Sequence, residues 1–199
     1  MTEIKVFNRW SVDDVKVDDL GIQPYITLNP KIVPKTGARY AGRKFYKSRT
    51  FIVERLINKL MVPGHKGKKH FRTSSHMTGK AQTAYDTVEE VFKLIEKTTK
   101  ENPIKVFVKA LENTAQREEI ISIEYGGARY PKAVECSPQR RVDLALRHMT
   151  QGAYHRTFNT KKSIVNSLAE EIISAYRMSS ASNAIAKKLE IERQSDSSR

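Results

Sequence analysis

ENPIKVFVKALENTAQREEIISIEYGGARYPKAVECSPQRRVDLALRHM, residues 101–149, carries two helix starts with a hairpin between them. Asn102 is a good N-cap and Pro103 suits the first helical turn, where its missing N–H costs nothing. Ile104, Phe107, Val108, Leu111 and Ala115 then recur at helical spacing. From Ile121 the period changes. Ile121, Ile123 and Tyr125 alternate with Ser122 and Glu124, Gly126-Gly127 follows, and a second extended run holds Tyr130, Val134 and Cys136. Two alternating runs around a Gly-Gly pair spell a β-hairpin. Ser137-Pro138 repeats the cap-plus-proline start, and Val142, Ala145, Leu146, Met149 and Ala153 form the next apolar stripe. Two strands cannot bury a core of their own, so the hairpin must lean on helices at its base.

Working outward, the flanks are helical too. Arg49 to Met61 places Phe51, Ile52, Leu56, Ile57, Leu60 and Met61 on one face, and Pro63-Gly64 ends it. A longer helix from about Thr78 to Lys100 carries Ala81, Tyr85, Val88, Val91, Phe92 and Ile95. Beyond the hairpin, Val165, Leu168, Ala169, Ile172, Ile173 and Tyr176 mark a helix from near Thr160, and Ala184, Ile185 and Leu189 a weaker one from Ser182 to Glu192. Pro24, Pro30, Pro34, Gly21, Gly37 and Gly42 interrupt residues 20–46 and predict an extended arm, ordered only on a partner. The reading is mainly α: a bundle of about six helices with one protruding β-hairpin between the fourth and fifth, counting a short helix at Ser11 to Val15. Residues 1–46 form the extended N-terminal arm with that short helix, 47–193 the helical domain with its hairpin at about 120–136, and 194–199 a polar tail.

Charge narrows the function. The chain of 199 residues has 36 Lys+Arg against 22 Asp+Glu, a net of +14. Residues 35–80 hold 13 of those bases and only Glu54, a net of +12, so nearly the whole excess sits in one quarter of the chain. A smaller concentration runs from Arg129 to Lys162, with eight bases against Glu135 and Asp143. Nucleic acid is the polyanion that best repays such charge, because each neutralised phosphate releases a counterion. The single cysteine excludes an intrachain disulfide and fits a reducing, cytoplasmic setting. No apolar run reaches the roughly 20 residues of a membrane span, and no membrane partner is expected.

Three segments carry the binding chemistry. In ARYAGRKFYKSRT, residues 38–50, Arg39, Arg43, Lys44, Lys47 and Arg49 interleave with Tyr40, Phe45 and Tyr46, a mixture that grips phosphates and stacks on exposed bases. In PGHKGKKHFRTSSH, residues 63–76, Lys66, Lys68, Lys69 and Arg72 share a glycine-containing loop that suits a backbone–phosphate clamp. Its histidines lack cysteine or carboxylate companions, so neither a metal nor any cofactor is called for. The third segment is the hairpin and the turn after it. Arg129 and Lys132 flank Tyr130 near the Gly126-Gly127 tip, and Arg140 and Arg141 sit in a first helical turn, where cations oppose the helix dipole and an external anion offsets them. Arg156, Lys161 and Lys162 complete the set. Cys136 with His148 or His155 makes a poor nucleophile–base pair, since no third group orients it. No capped recognition helix shows the Arg, Asn and Gln row of a major-groove reader, and no carboxylates pair as in an RNA-modifying enzyme.

ARYAGRKF, IVERLINKLM, ENPIKVFVKALEN, YGGARYPKAVECSPQRRVDLALR and SSASNAIAKKLEIER together resemble the universal small-subunit ribosomal protein seven family, in its archaeal and eukaryotic branch, whose eukaryotic member is called small-subunit ribosomal protein five. The likeness spans nearly the whole chain. It implies a helical, non-catalytic protein that binds the three-prime major domain of small-subunit ribosomal RNA and helps start assembly of the head. It also implies a hairpin lying near exit-site transfer RNA and messenger RNA, with head and platform ribosomal proteins as neighbours. On this sequence the implied RNA contacts fall on Arg39 to Arg49, on the Lys66 to Arg72 loop, and on Arg129, Lys132, Arg140 and Arg141.

Overall fold

The computed structural model describes residues 4–66, 69–70 and 76–199. Among them the chain is mainly α-helical, with six α-helices and one long hairpin. Helix α1 spans Ile52–Leu60, α2 Ala81–Thr99, α3 Pro103–Thr114, α4 Pro138–Thr157, α5 Ile164–Tyr176 and α6 Asn183–Asp196. Strands β1, His65–Lys66, and β2, Lys69–His70, form a small antiparallel ladder where the sequence predicts a loop. Strands β3, Glu118–Tyr125, and β4, Ala128–Glu135, form the expected hairpin in its expected place, between the helices begun by Pro103 and Pro138.

The caps act where the sequence puts them. Asn102 accepts the Ile104 N–H at 3.0 Å and opens α3. Ser163 and Ser182 cap α5 and α6 in the same way. Ser137 precedes α4 but makes no side-chain cap bond, so that helix N-terminus keeps its donors for another acceptor.

The core lies where α2, α3, α4 and α5 meet. Phe92 and Phe107 pack with ring centroids 5.8 Å apart, and Trp10 meets Phe92 edge-on at 5.9 Å. Trp10 belongs to the expected arm, and this is where structure and sequence reading part. Residues 4–27 form a strap across the helices that buries Val6, Trp10, Val12, Val15, Val17, Ile22 and Ile26. Long-range bonds hold it: Asn102 Nδ2 donates to the Ser11 carbonyl at 2.8 Å, and the Asp18 N–H to Glu112 at 2.6 Å. Ser11 to Val15 is a turn closed by Val15 N–H to the Val12 carbonyl, not the expected short helix. Five residues with two valines turned to the core gain more from that packing than from a single helical turn, which is costly to nucleate.

The hairpin projects. Register runs from Glu118↔Glu135 to Tyr125↔Ala128, and Gly126 and Gly127 close it with φ of 55° and 84°. Both central residues at positive φ give the turn whose twist matches the strands, which is why glycine occupies both. Residues at the base are half-buried and those at the tip exposed. Counting in twos from the turn, Ser122↔Pro131 is a pair without ladder bonds, so Pro131 removes no hydrogen bond from the hairpin. Helix α6 braces the base: the Arg117 N–H donates to Glu192 at 3.2 Å, and Arg199 pairs with Glu118. No helix among the described residues is long and apolar enough to cross a membrane.

Candidate nucleic-acid interface

The basic segment 36–49 is anchored from below. Thr36 donates through its N–H at 2.8 Å and its hydroxyl at 2.7 Å to one carboxylate oxygen of buried Glu54 on α1. The Thr27 hydroxyl donates to the Ser48 carbonyl at 2.6 Å. Asp143 on α4 then receives Lys47 at 2.9 Å and Arg55 of α1 at 3.2 Å. Burial pushes the Asp143 carboxyl up, but the hydrogen bond from Lys47 and the charge of Arg55 outweigh it and hold the carboxyl below its usual range. The carboxylate therefore ties the arm, α1 and α4 at one point.

Above these anchors the remaining cations face solvent. Arg39, Arg43, Lys44 and Arg49 are exposed. Arg43 and Arg49 both lie over the Tyr46 ring, at 5.7 and 5.2 Å from its centroid, within cation–π reach. Next to them α4 contributes Arg140, about half-exposed and bonded to Glu119 at 2.8 Å, and Arg147. Lys44, Arg140 and Arg147 line one cleft of about 350 Å³. Lys59 of α1 joins the same neighbourhood: burial first, then repulsion from Lys47, lowers its pKa, with Arg147 and Arg55 adding to it.

Arg147 and Lys59 are missing from the sequence-derived set, yet both carried a signal. Arg147 follows Arg140 by seven residues and Asp143 by four, placing the three on one helix face. Lys59 follows Arg55 by four.

Two expected contact residues are committed to internal ion pairs, and one of them, Arg141, is also buried. Arg141 is 9% exposed, donates to the Gln116 carbonyl at 3.1 Å and pairs with Asp19 at 2.8 Å. It neighbours the buried Val142 and Ala145, so helix geometry turns it to the core side while Arg140 turns out. Arg156 pairs with buried Glu171 at 2.9 Å and bonds the Ala181 carbonyl, locking α4 to α5 and the start of α6. Lys161 and Lys162 are exposed, Lys162 lying 3.6 Å from Glu170. On the hairpin Lys132 is exposed, Arg129 lies 3.6 Å from Glu124, and Tyr125 and Tyr130 are largely exposed beside Gly126 and Gly127. Lys66 and Lys69 fall on the β1–β2 ladder, whereas Lys68 and Arg72 lie outside the described residues. Cys136 is buried, and burial together with nearby Glu119 pushes its thiol up to about 11, which removes it as a nucleophile at neutral pH.

A face built from exposed cations and aromatic rings on a helical frame is the setting in which likeness to known proteins becomes informative. The family model described as ribosomal protein S7p/S5e matches residues 22–199. The chain belongs to the ribosomal protein S7p/S5e family. Curated relatives agree along nearly the full length. The small ribosomal subunit protein uS7 of Nanoarchaeum equitans is 54% identical over 99% of this chain and all of its own. The uS7 proteins of Archaeoglobus fulgidus, 45% identical over 99% of this chain and 96% of its own, and of Methanothermobacter thermautotrophicus, 48% identical over 94% and 95%, are similar. The S7p/S5e family is structural and not enzymatic, in keeping with a site made of charge and aromatic surface. The family model starts at residue 22, just after most of the strap, while the archaeal relatives extend across the strap as well.

Proposed function

We propose that this chain is a structural component of the small ribosomal subunit that binds the three-prime major domain of small-subunit ribosomal RNA, starts head assembly in the cytoplasm, and sets its hairpin beside exit-site transfer RNA and messenger RNA. The observation carrying this reading is the run of exposed cations Arg39, Arg43, Lys44 and Arg49, with Lys44 sharing a cleft with Arg140 and Arg147 of α4. The anchored backbone beneath it spaces those cations before any RNA arrives, which suits bridging of phosphates from more than one RNA strand. Lys161, Lys162 and the hairpin residues Arg129, Lys132 and Tyr130 supply secondary contacts, and head and platform ribosomal proteins are the neighbours. Family membership and the uS7 relatives support the ribosomal setting.

Titrating a three-prime-domain RNA fragment and duplex DNA of equal length across a salt series tests it. The RNA is expected to bind more tightly at every salt concentration, and equal affinity refutes the reading. Replacing Arg39, Arg43 and Lys44 by Ala is expected to flatten the log–log salt dependence by about 0.7 to 0.9 per lost phosphate contact. An unchanged slope shows that these residues do not face phosphate.

A further inference from the structure

The segment 38–50 offers three aromatic rings, and the structure gives them different surroundings. Tyr40 is half-buried and lines a hollow against Ile57 and Tyr85, on the α2 side of α1. The Tyr46 face is engaged by Arg43 and Arg49. Phe45 is 65% exposed, makes the left-handed turn before Tyr46 with φ of 58°, and lines the cleft shared by Lys44, Arg140 and Arg147. A large apolar ring on a positive-φ residue, held out to water beside three cations, is doubly unfavourable in the free protein. A ligand that is flat and apolar at one end and anionic at the other covers the ring and answers the cations. Ser137, which precedes α4 without a side-chain cap bond, and Gln139 of its first turn line the same cleft.

We infer that this cleft seats one unpaired nucleotide of the bound RNA, its base stacked on Phe45 and its phosphate held by Lys44, Arg140 and Arg147. The inference rests on the RNA-binding reading above and deepens it: Phe45 selects single-stranded over paired RNA, because a base inside a duplex has no free face to stack. A carboxylate from a protein neighbour fits the cations but leaves the ring exposed, so the ring decides between the two occupants.

The test uses the full chain with two probes, a short oligoadenylate and an A-form RNA duplex, at fixed salt. Phe45→Leu keeps apolar bulk and loses the ring; Phe45→Trp keeps a ring and adds a reporter, Trp10 being buried. Phe45→Leu is expected to weaken oligoadenylate binding about 5- to 150-fold, the range spanned by losing one base–aromatic stack. Duplex binding should change much less. Phe45→Trp should restore single-strand affinity, with its fluorescence quenched on binding. The inference is overturned if Phe45→Leu binds oligoadenylate like wild type, if Leu and Trp behave alike, or if single-strand and duplex affinities fall equally. The Arg140→Gln, Arg147→Gln double variant separates the two levels. Loss of both RNAs in that variant alongside an unaffected Phe45→Leu sinks the stacked base and leaves the RNA-binding face standing. No loss in any variant sinks both.

Discussion

Replacing Asp143 by Asn perturbs the whole arrangement at its centre. The Asp143 carboxylate meets the Arg55 guanidinium at 3.2 Å and Lys47 at 2.9 Å, and the Arg55 side chain is only 2% exposed. Asn fills the same space and still offers one acceptor oxygen, so what it removes is charge. Arg55 is then left buried without the Asp143 countercharge, keeping its hydrogen bond to the Tyr25 carbonyl at 2.8 Å. Two opposite charges about 4 Å apart attract by about 4 kcal/mol at an effective dielectric of about 20. Breaking a buried pair by removing one partner costs about 3–5 kcal/mol. The Asp143 side chain keeps 22% of its exposure and Lys47 31%, and water screens the second pair, so the lower end applies, about 3 kcal/mol. For a chain of this size that corresponds to a melting shift of about 6–12 °C. Thermal melting followed by circular dichroism measures it. The Arg55→Met, Asp143→Leu double variant, which removes both charges of the pair, should recover at least half of the loss. The sign with pH is also fixed. Because the folded-state carboxyl sits below its usual range, its stabilisation is complete above the ordinary carboxylate pKa and drains away as pH falls through the lower folded value. The gap between wild type and Asp143→Asn must therefore narrow in acid. A gap that stays constant from neutral to acid pH, or a double variant no more stable than Asp143→Asn alone, refutes the reasoning.

Other perturbations probe the frame. A Cβ on Gly152 would come 2.7 Å from the Asn183 Cβ, so Gly152→Ala should cost about 1–3 kcal/mol by urea denaturation, and Asn183→Gly in the same chain should relieve it. Burial raises the Glu171 carboxyl despite the Ala184 N–H and Ser182 hydroxyl it accepts; the folded chain holds that proton to higher pH than the unfolded one, so stability falls as pH rises through the interval. Glu171→Gln should remove that slope, and a persisting slope places its origin elsewhere. Excising Tyr125 to Tyr130 should leave a single cooperative melting transition, since no residue of β3 or β4 belongs to the buried core; a broadened or lost transition contradicts this.

What could be read from the sequence is what local chemistry dictates. Helix α3 announces itself through Asn102-Pro103 and its apolar stripe, the hairpin through alternation around Gly126-Gly127, and α4 through Ser137-Pro138. The strap was opaque because Trp10, Val12, Val15 and Val17 follow neither period, and their partners lie about ninety residues away, as the Asn102 and Glu112 bonds show. The site divides along the same line. Exposure of Arg39, Arg43 and Lys44 follows from a segment too broken and charged to bury. The inward turn of Arg141 depends on Asp19, which only the fold brings near, although its place beside Val142 and Ala145 already put it on the core side. Arg147 and Lys59 join the surface because α1 and α4 pack together, which no single segment encodes.

Formal charge consequently overstates how many cations this face offers to solvent, and also misplaces some of them. Of the bases between Lys35 and Lys80, Arg55 and Lys47 are bound to Asp143 within the protein. The outward set from that quarter includes Arg39, Arg43, Lys44 and Arg49, and α4 adds Arg140 and Arg147 from a segment whose own net charge is modest. Asp143, the one carboxylate lining this cleft among the described residues, subtracts a charge from the surface and in return fixes the arm against two helices. A point-charge count treats that as a loss. For RNA binding it acts in the other direction, because cations already held at their spacing require less ordering when phosphates arrive. Asp143→Asn thus separates two quantities that total charge confounds: long-range attraction, which rises with the added positive charge, and affinity at high salt, which falls as the arm loses its anchor. A variant that gained both would mean that charge alone, and not its placement, governs binding.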